Sequence, residues 1–100
     1  MNKYRHYDMR RLEVTVTPSL LEARDETDMK YLCESLQTLL QVEYRHLGTE
    51  VLVKASNDAI TVTCFDDNDT DMMKEDEEFV QMIENEVYKV ANGVRIGAYQ

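Results

Sequence analysis

The chain has 100 residues, the length of a single small domain, and its 20 acidic and 11 basic side chains give a formal net charge of -9. A hydrophobic content of 43% with three glycines and one proline excludes a disordered or collagen-like chain. No apolar run approaches the roughly 20 residues of a membrane span, and the N-terminus lacks an apolar signal region. We therefore expect a cytoplasmic protein that does not bind a membrane.

The first predicted element is a strand at about residues 11–17, ended by Pro18. Every second residue in it is apolar, the pattern of a strand with one buried face: Leu12, Val14 and Val16. We expect one α+β domain over residues 1–100, in which residues 1–10 form a flexible basic arm.

A long helix is predicted at about residues 26–46, ended by Gly48. Its apolar stripe has three- and four-residue spacing and consists of Met29, Leu32, Cys33, Leu36, Leu39, Leu40 and Leu47. Ser19 and Glu22 have the spacing of a capping box, which predicts a separate helical turn there. One helix spanning both segments would be about 43 Å long, so we expect a break near Asp25.

Two further strands are predicted at residues 51–56 and 60–65, where apolar and polar residues again alternate. Asn57 and Asp58 tolerate positive φ and favour a two-residue turn, so these strands are expected to pair as a hairpin.

The last predicted helix begins at Asp76 and ends at Asn92-Gly93, and a short strand at residues 94–99 follows it. The order β-α-β-β-α-β predicts a ferredoxin-like plait, in which two helices cover one face of a four-stranded antiparallel sheet. The alternative is a three-stranded antiparallel sheet with two helices, in which residues 94–99 are irregular.

The whole charge imbalance lies in residues 66–86, which contain ten acids and Lys74 for a net charge of -9. These acids are the candidate partner-binding residues: Asp66, Asp67, Asp69, Asp71, Glu75, Asp76, Glu77, Glu78, Glu84 and Glu86. Such a density of carboxylates approximates the phosphates of DNA, which predicts binding to a positively charged protein that itself binds nucleic acid. The alternative is a solvated face that only maintains solubility.

Part of this run has the carboxylate spacing of a calcium-binding EF-hand loop, through Asp67, Asp69, Asp71, Glu75 and Glu78. Met72 replaces the glycine of such a loop, and Lys74 replaces its usual apolar residue. No catalytic, zinc-binding or glycine-rich phosphate-binding motif is present. We therefore predict no metal, no cofactor and no enzymatic activity, and we expect Cys33 and Cys64 to be reduced core residues.

The N-terminal residues mix bases with aromatic side chains, as single-strand nucleic-acid binders do: Lys3, Tyr4, Arg5, His6 and Tyr7, with Arg10 and Arg11. The net charge repels phosphates, so direct nucleic-acid binding is not expected. The favoured alternative is a tail that is solvated or that pairs with the acidic run of the same or a neighbouring chain.

The small size, clustered carboxylates and lack of catalytic motifs resemble the phage-encoded inhibitors of host proteins, several families of which mimic DNA. One segment is also similar to the start of the small phage antagonists of the nucleoid protein H-NS: Glu26-Thr27-Asp28-Met29-Lys30-Tyr31-Leu32-Cys33. The resemblance implies a non-enzymatic inhibitor of a nucleic-acid-binding host protein, acting in the host cytoplasm. A second hypothesis, from a different class, is a structural or assembly module that pairs through its sheet or its N-terminus, for example as a homodimer, with the acids only for solubility.

Overall fold

A computed structural model of the chain describes residues 9–97 and contains a three-stranded mixed sheet and three α-helices in that range. The elements in chain order are β1 (Arg11–Val16), α1 (Pro18–Leu21), α2 (Glu26–Tyr44), β2 (Glu50–Ala55), β3 (Thr61–Phe65) and α3 (Glu77–Arg95). Short 3-10 turns at Arg45–Leu47 and Met72–Lys74 follow α2 and precede α3. The predicted α+β class is confirmed, and residues 1–8 of the predicted arm lie outside the described residues. The last two residues of the arm belong to the fold, since Met9 is fully buried and the Arg10 N–H donates to the Phe65 carbonyl at 2.8 Å.

β1 is the central strand, with β2 parallel on one side and β3 antiparallel on the other. Leu12 pairs with Val51 on one side and with Cys64 on the other, so apolar side chains continue across all three strands. A parallel pair requires a long crossover connection, and α2 supplies it between β1 and β2.

The predicted hairpin between β2 and β3 is wrong, because β1 separates the two strands. Their connection at residues 56–60 crosses the end of β1, where the Thr15 hydroxyl donates to the Ala59 carbonyl at 3.2 Å. Asn57-Asp58 lacks the glycine that makes two-residue hairpin turns strongly favourable. Pairing with both edges of β1 therefore prevails over the weak local turn signal.

α3 begins where predicted, after its N-cap Asp76, but it runs through Asn92-Gly93 to Arg95. Val94 is buried and extends the apolar stripe of the helix at helical spacing. This packing outweighs the local signal for helix termination.

The predicted final strand at residues 94–99 is wrong for residues 94–97, of which the first two belong to α3 and the next two form a turn, while its last two lie outside the described residues. The described sheet is mixed, whereas both predicted arrangements were antiparallel. The ferredoxin-like plait is therefore not confirmed. The three-stranded alternative has the observed number of strands in this range, but the wrong strand direction.

The predicted starts of α1 and α2 also agree with the structure only in part. The separate helical turn predicted at Ser19 is confirmed as α1, but its cap is the hydroxyl of Thr17 and not that of Ser19. The break predicted near Asp25 is confirmed, because the Asp25 carboxylate accepts the Asp28 N–H at 2.7 Å and starts α2 there.

The core lies between the helices and one face of the sheet. Its largest fully buried side chains are Phe79, Met9, Leu12, Leu21, Leu36, Leu40, Met72, Ile83, Val14, Val16, Val51 and Val80. The opposite face of β1 carries Arg11, Glu13 and Thr15, which are half-buried. Across residues 9–97, the helices are too short or too polar to cross a membrane.

We expect Leu36→Ala to lower the free energy of unfolding by about 2–5 kcal/mol, because Leu36 is fully buried on α2 and its truncation leaves a cavity. Val42→Ala on the same helix is the control, since Val42 is 56% exposed; its effect should stay within about 0.5 kcal/mol. Urea unfolding followed by circular dichroism measures both values. Equal losses in the two variants would contradict this assignment of the core.

Candidate partner-binding surface

The acidic segment, defined as residues 66–78, connects β3 to the first turn of α3. It contains eight of the ten candidate acids. Met72, at 2% exposure, anchors the middle of the segment to the core. The segment is therefore a packed part of the fold and not an extended tail.

Asp66 is buried and organises the first half of the acidic segment. One oxygen of its carboxylate accepts the N–H groups of Asn68 and Thr70, each at 2.9 Å. The bond from Thr70 lowers the pKa of Asp66, burial opposes this effect, and hydrogen bonds with Glu75 and Asn68 lower the pKa further. Asp66 therefore holds the loop in shape and is not available to a partner.

Two more of the candidate acids cap helical turns. The Asp71 carboxylate accepts the Met73 N–H at 2.9 Å, and the Asp76 carboxylate accepts the Phe79 N–H at 3.1 Å. Both side chains are half-buried. These caps satisfy N–H groups that the first turn of a helix leaves without a partner, so the two acids belong to the scaffold.

Two arginines at the start of β1 reach the acidic segment. Arg10 Nε lies 3.3 Å from the Asp67 carboxylate, and an Arg11 amino group lies 2.7 Å from that of Asp69. The Arg11 guanidinium also lies over the ring of Phe65, 4.2 Å from its centroid. The favoured alternative for these bases, pairing with the acidic run of the same chain, is thus observed for both arginines.

Five acids of the segment remain exposed and form the carboxylate surface: Asp67, Asp69, Glu75, Glu77 and Glu78. Lys74 is the only base among residues 66–78. Glu77 and Glu78 lie in the first turn of α3, where the helix dipole favours negative charge. The helix dipole therefore stabilises negative charge in this part of the surface.

Glu84 and Glu86 lie further along α3 and are half-buried. Positions two apart on a helix point about 200° apart, so the two cannot continue one row of charge. In addition to the effect of burial, Glu84 raises the pKa of Cys64 and Glu86 raises that of Tyr44. The two glutamates therefore lie on opposite flanks of α3.

The carboxylates with EF-hand spacing are not gathered around one point. Asp67 and Asp69 turn towards arginines, and Asp71 caps the 3-10 turn. Among the residues that the structure describes, no group of three or more His, Cys, Asp or Glu side chains is placed to hold a metal ion. The spacing in the sequence therefore does not produce the geometry of a calcium loop here.

Cys33 and Cys64 are buried and form no disulfide, as predicted. Burial raises the pKa of both thiols, that of Cys64 to about 12, with Asp71 and Glu84 adding to the shift at Cys64. Both thiols therefore stay protonated at neutral pH, the form that is a poor nucleophile and metal ligand.

Treating all ten acids as partner-binding residues missed the structural roles of Asp66 and Asp71. The cap at Asp76 was predicted from its position before the apolar stripe and is confirmed. Asp66 also had a signal, because an aspartate just before a turn often bonds to the backbone N–H two residues ahead. Charge alone favoured pairing of Arg10 and Arg11 with the acidic run, but the choice of Asp67 and Asp69 as partners depends on tertiary structure.

Comparison with known proteins adds no assignment: the chain matches no protein-family model, no curated protein and no solved structure. The functional argument therefore rests on the geometry of this chain.

We expect Asp66→Ala to loosen the loop, because the N–H groups of Asn68 and Thr70 lose their shared acceptor. Amide hydrogen exchange at these two residues should accelerate about tenfold or more. Asp67→Ala is the control, since Asp67 accepts from the exposed Arg10 side chain. Unchanged exchange at Asn68 and Thr70 in Asp66→Ala would refute the role of Asp66.

We also expect a specific acid response of this loop. The pKa of Asp66 is lower in the folded chain than its ordinary value, so the stability it contributes is complete above the unfolded-state pKa of about 3.9. That contribution is lost as the pH falls through the lower pKa of the folded state. Nuclear magnetic resonance titration of the Asp66 carboxyl checks this, and a midpoint above about 3.9 would show the opposite sign.

Proposed function

We propose that the chain is a non-enzymatic binding protein that inhibits a positively charged, nucleic-acid-binding protein, as the DNA-mimicking phage inhibitors do. The carboxylate surface would occupy the site that normally takes nucleic acid. The observation that carries the proposal is the concentration of five exposed carboxylates within residues 67–78, with Lys74 as the only base there.

The shape of the loop supports recognition in addition to solubility. Asp66 bonds to two backbone N–H groups, and the caps by Asp71 and Asp76 order the turns that follow. A surface that is ordered before binding loses less conformational entropy in the complex. Acids needed only for solubility do not require such an ordered support.

The partial pairing with arginines limits the strength of the surface without removing it. Arg10 and Arg11 meet Asp67 and Asp69, whose side chains remain 58% and 68% exposed. An exposed ion pair such as Arg10–Asp67 contributes about 0–1 kcal/mol, so a basic partner can replace it at low cost. We expect association to be fast at low salt and to slow by about tenfold or more as salt screens the attraction.

The alternative, assembly through the sheet, receives less support at β2. Side chains from α2 occupy outward backbone N–H groups on the free edge of this strand. A partner strand would have to displace them before it could pair there.

The test neutralises four acids of the surface with isosteric amides, in the variant Asp67→Asn, Asp69→Asn, Glu77→Gln, Glu78→Gln. The matched control neutralises four exposed acids elsewhere: Glu34→Gln, Glu43→Gln, Glu50→Gln and Asp58→Asn. Both variants raise the net charge from -9 to -5, so a general effect of charge is the same in each.

Proteins captured on the immobilised wild-type chain at low salt are eluted with either high salt or double-stranded DNA. We expect one basic protein to be released by both, and its DNA binding to be inhibited competitively by the wild type and the control. The surface variant should lose at least tenfold in inhibition. Equal inhibition by the two variants, or a captured protein that DNA does not displace, would count against the proposal.

A further inference from the structure

β2 lies at the edge of the sheet, with β1 on one side only. Glu50 N–H donates to the Arg10 carbonyl and Ser56 N–H donates to the Val16 carbonyl, both at 2.9 Å, so the even-numbered residues of β2 face β1. The odd-numbered residues therefore turn their N–H and carbonyl groups outward. An exposed edge of this kind is a template for pairing with another strand.

Two glutamines of α2 occupy this edge. The Val53 N–H donates to Gln37 Oε1 at 2.9 Å, and the Val51 N–H donates to Gln41 Oε1 at 3.0 Å. Gln41 Nε2 also donates to the Thr49 carbonyl at 2.7 Å. Both outward N–H groups in the middle of β2 are thus satisfied from within the chain.

The bonds of Gln41 reproduce the pattern of a parallel β-ladder. A residue in a neighbouring parallel strand donates its N–H to one carbonyl and accepts an N–H two residues further on. The Gln41 carboxamide does the same on either side of Glu50: its Nε2 donates to the Thr49 carbonyl, and its Oε1 accepts the Val51 N–H. A side-chain amide carries the same donor and acceptor as a peptide group, so it substitutes for a strand.

The spacing explains why two glutamines are sufficient. Residues four apart on a helix are separated by about 6.0 Å along its axis, and N–H groups two apart on a strand by about 6.6 Å. The next position in the series is Cys33, opposite Ala55, and its thiol offers no such amide. A cleft of about 650 Å³ opens there, lined by Cys33, Gln37, Val53 and Ala55 among others.

We infer that Gln37 and Gln41 act as a built-in strand substitute, which prevents a second copy of this chain from pairing with β2. Without the two glutamine amides, the outward edge of β2 can pair with the same edge of a second copy. The two strands would run antiparallel, in one register, around a two-fold axis. In that register Val51 pairs with Val53 of the second copy, and Glu50 lies opposite Lys54 in two symmetric ion pairs. Leu52 meets its own copy at the axis and adds apolar contact.

The decisive variant is Gln37→Met with Gln41→Met, because methionine keeps the length and helix propensity of glutamine but has no amide. The control is Gln81→Met on α3, where Gln81 is exposed and its amide lies 3.5 Å from Glu77. Sedimentation velocity across a concentration series should show the double variant shifting towards about 23 kDa, twice the 11.7 kDa of the chain. The wild type and Gln81→Met should not shift in this way.

Charge changes then test the register. Lys54→Glu in the double variant places like charges opposite each other and should weaken the dimer at least tenfold, while adding Glu50→Lys should restore it. A double variant that is folded and stays at 11.7 kDa overturns the inference. So does a dimer that Lys54→Glu leaves unchanged.

Single variants keep the inference testable if the double variant does not fold. Gln37→Met should accelerate amide exchange about five- to tenfold at Val53 but not at Val51, and should associate weakly. Gln37→Glu retains an acceptor for the Val53 N–H, so it should protect that amide and stay monomeric. Equal behaviour of Gln37→Met and Gln37→Glu would show that the hydrogen bond does not guard the edge.

Discussion

Burial of Leu12, Val14 and Val16 between the helices and two neighbouring strands places β1 at the centre of the sheet. A strand whose apolar side chains alternate without interruption gains most from ladder bonds on both edges, since each further strand covers more of its buried face. The two features on which the proposals rest depend on this position. The start of β1 presents arginines to the acidic segment, and its pairing with β2 leaves the other edge of β2 facing α2.

The acidic segment shows how one residue type serves two purposes. Asp66, Asp71 and Asp76 direct their carboxylates at backbone N–H groups, where a negative acceptor forms stronger hydrogen bonds than a neutral one. The other acids of the segment are exposed. The second group depends on the first, because the turns that the structural acids hold determine where the exposed carboxylates lie. A count of charge along the sequence cannot separate these groups, since both contribute equally to it.

Local patterns predicted the elements better than their arrangement. The sequence predicted the strand around Val14 and the helix starts near Asp25 and Asp76, because these features depend on neighbouring residues in the chain. The order of the strands could not be predicted in this way. It depends on competition between a β2–β3 hairpin, favoured weakly by the turn at Asn57-Asp58, and pairing of both strands with the two edges of β1. The continuation of α3 through Gly93 has the same origin, since the burial of Val94 is a tertiary effect.

The candidate site shows the same difference between features set by local sequence and features set by tertiary contacts. Sequence predicted the acidic run and the buried cysteines, which are matters of composition and local phase, but it could not identify the contacts made by side chains distant in the sequence. Gln37 and Gln41 show the limit most clearly, because two polar residues on the flank of a helix look like ordinary solvent-facing positions. Their role follows only from the presence of an open strand edge beside them. The two proposals thus assign opposite roles to two parts of one chain: exposed charge in the acidic segment would attract a partner, while satisfied N–H groups on β2 would prevent self-association.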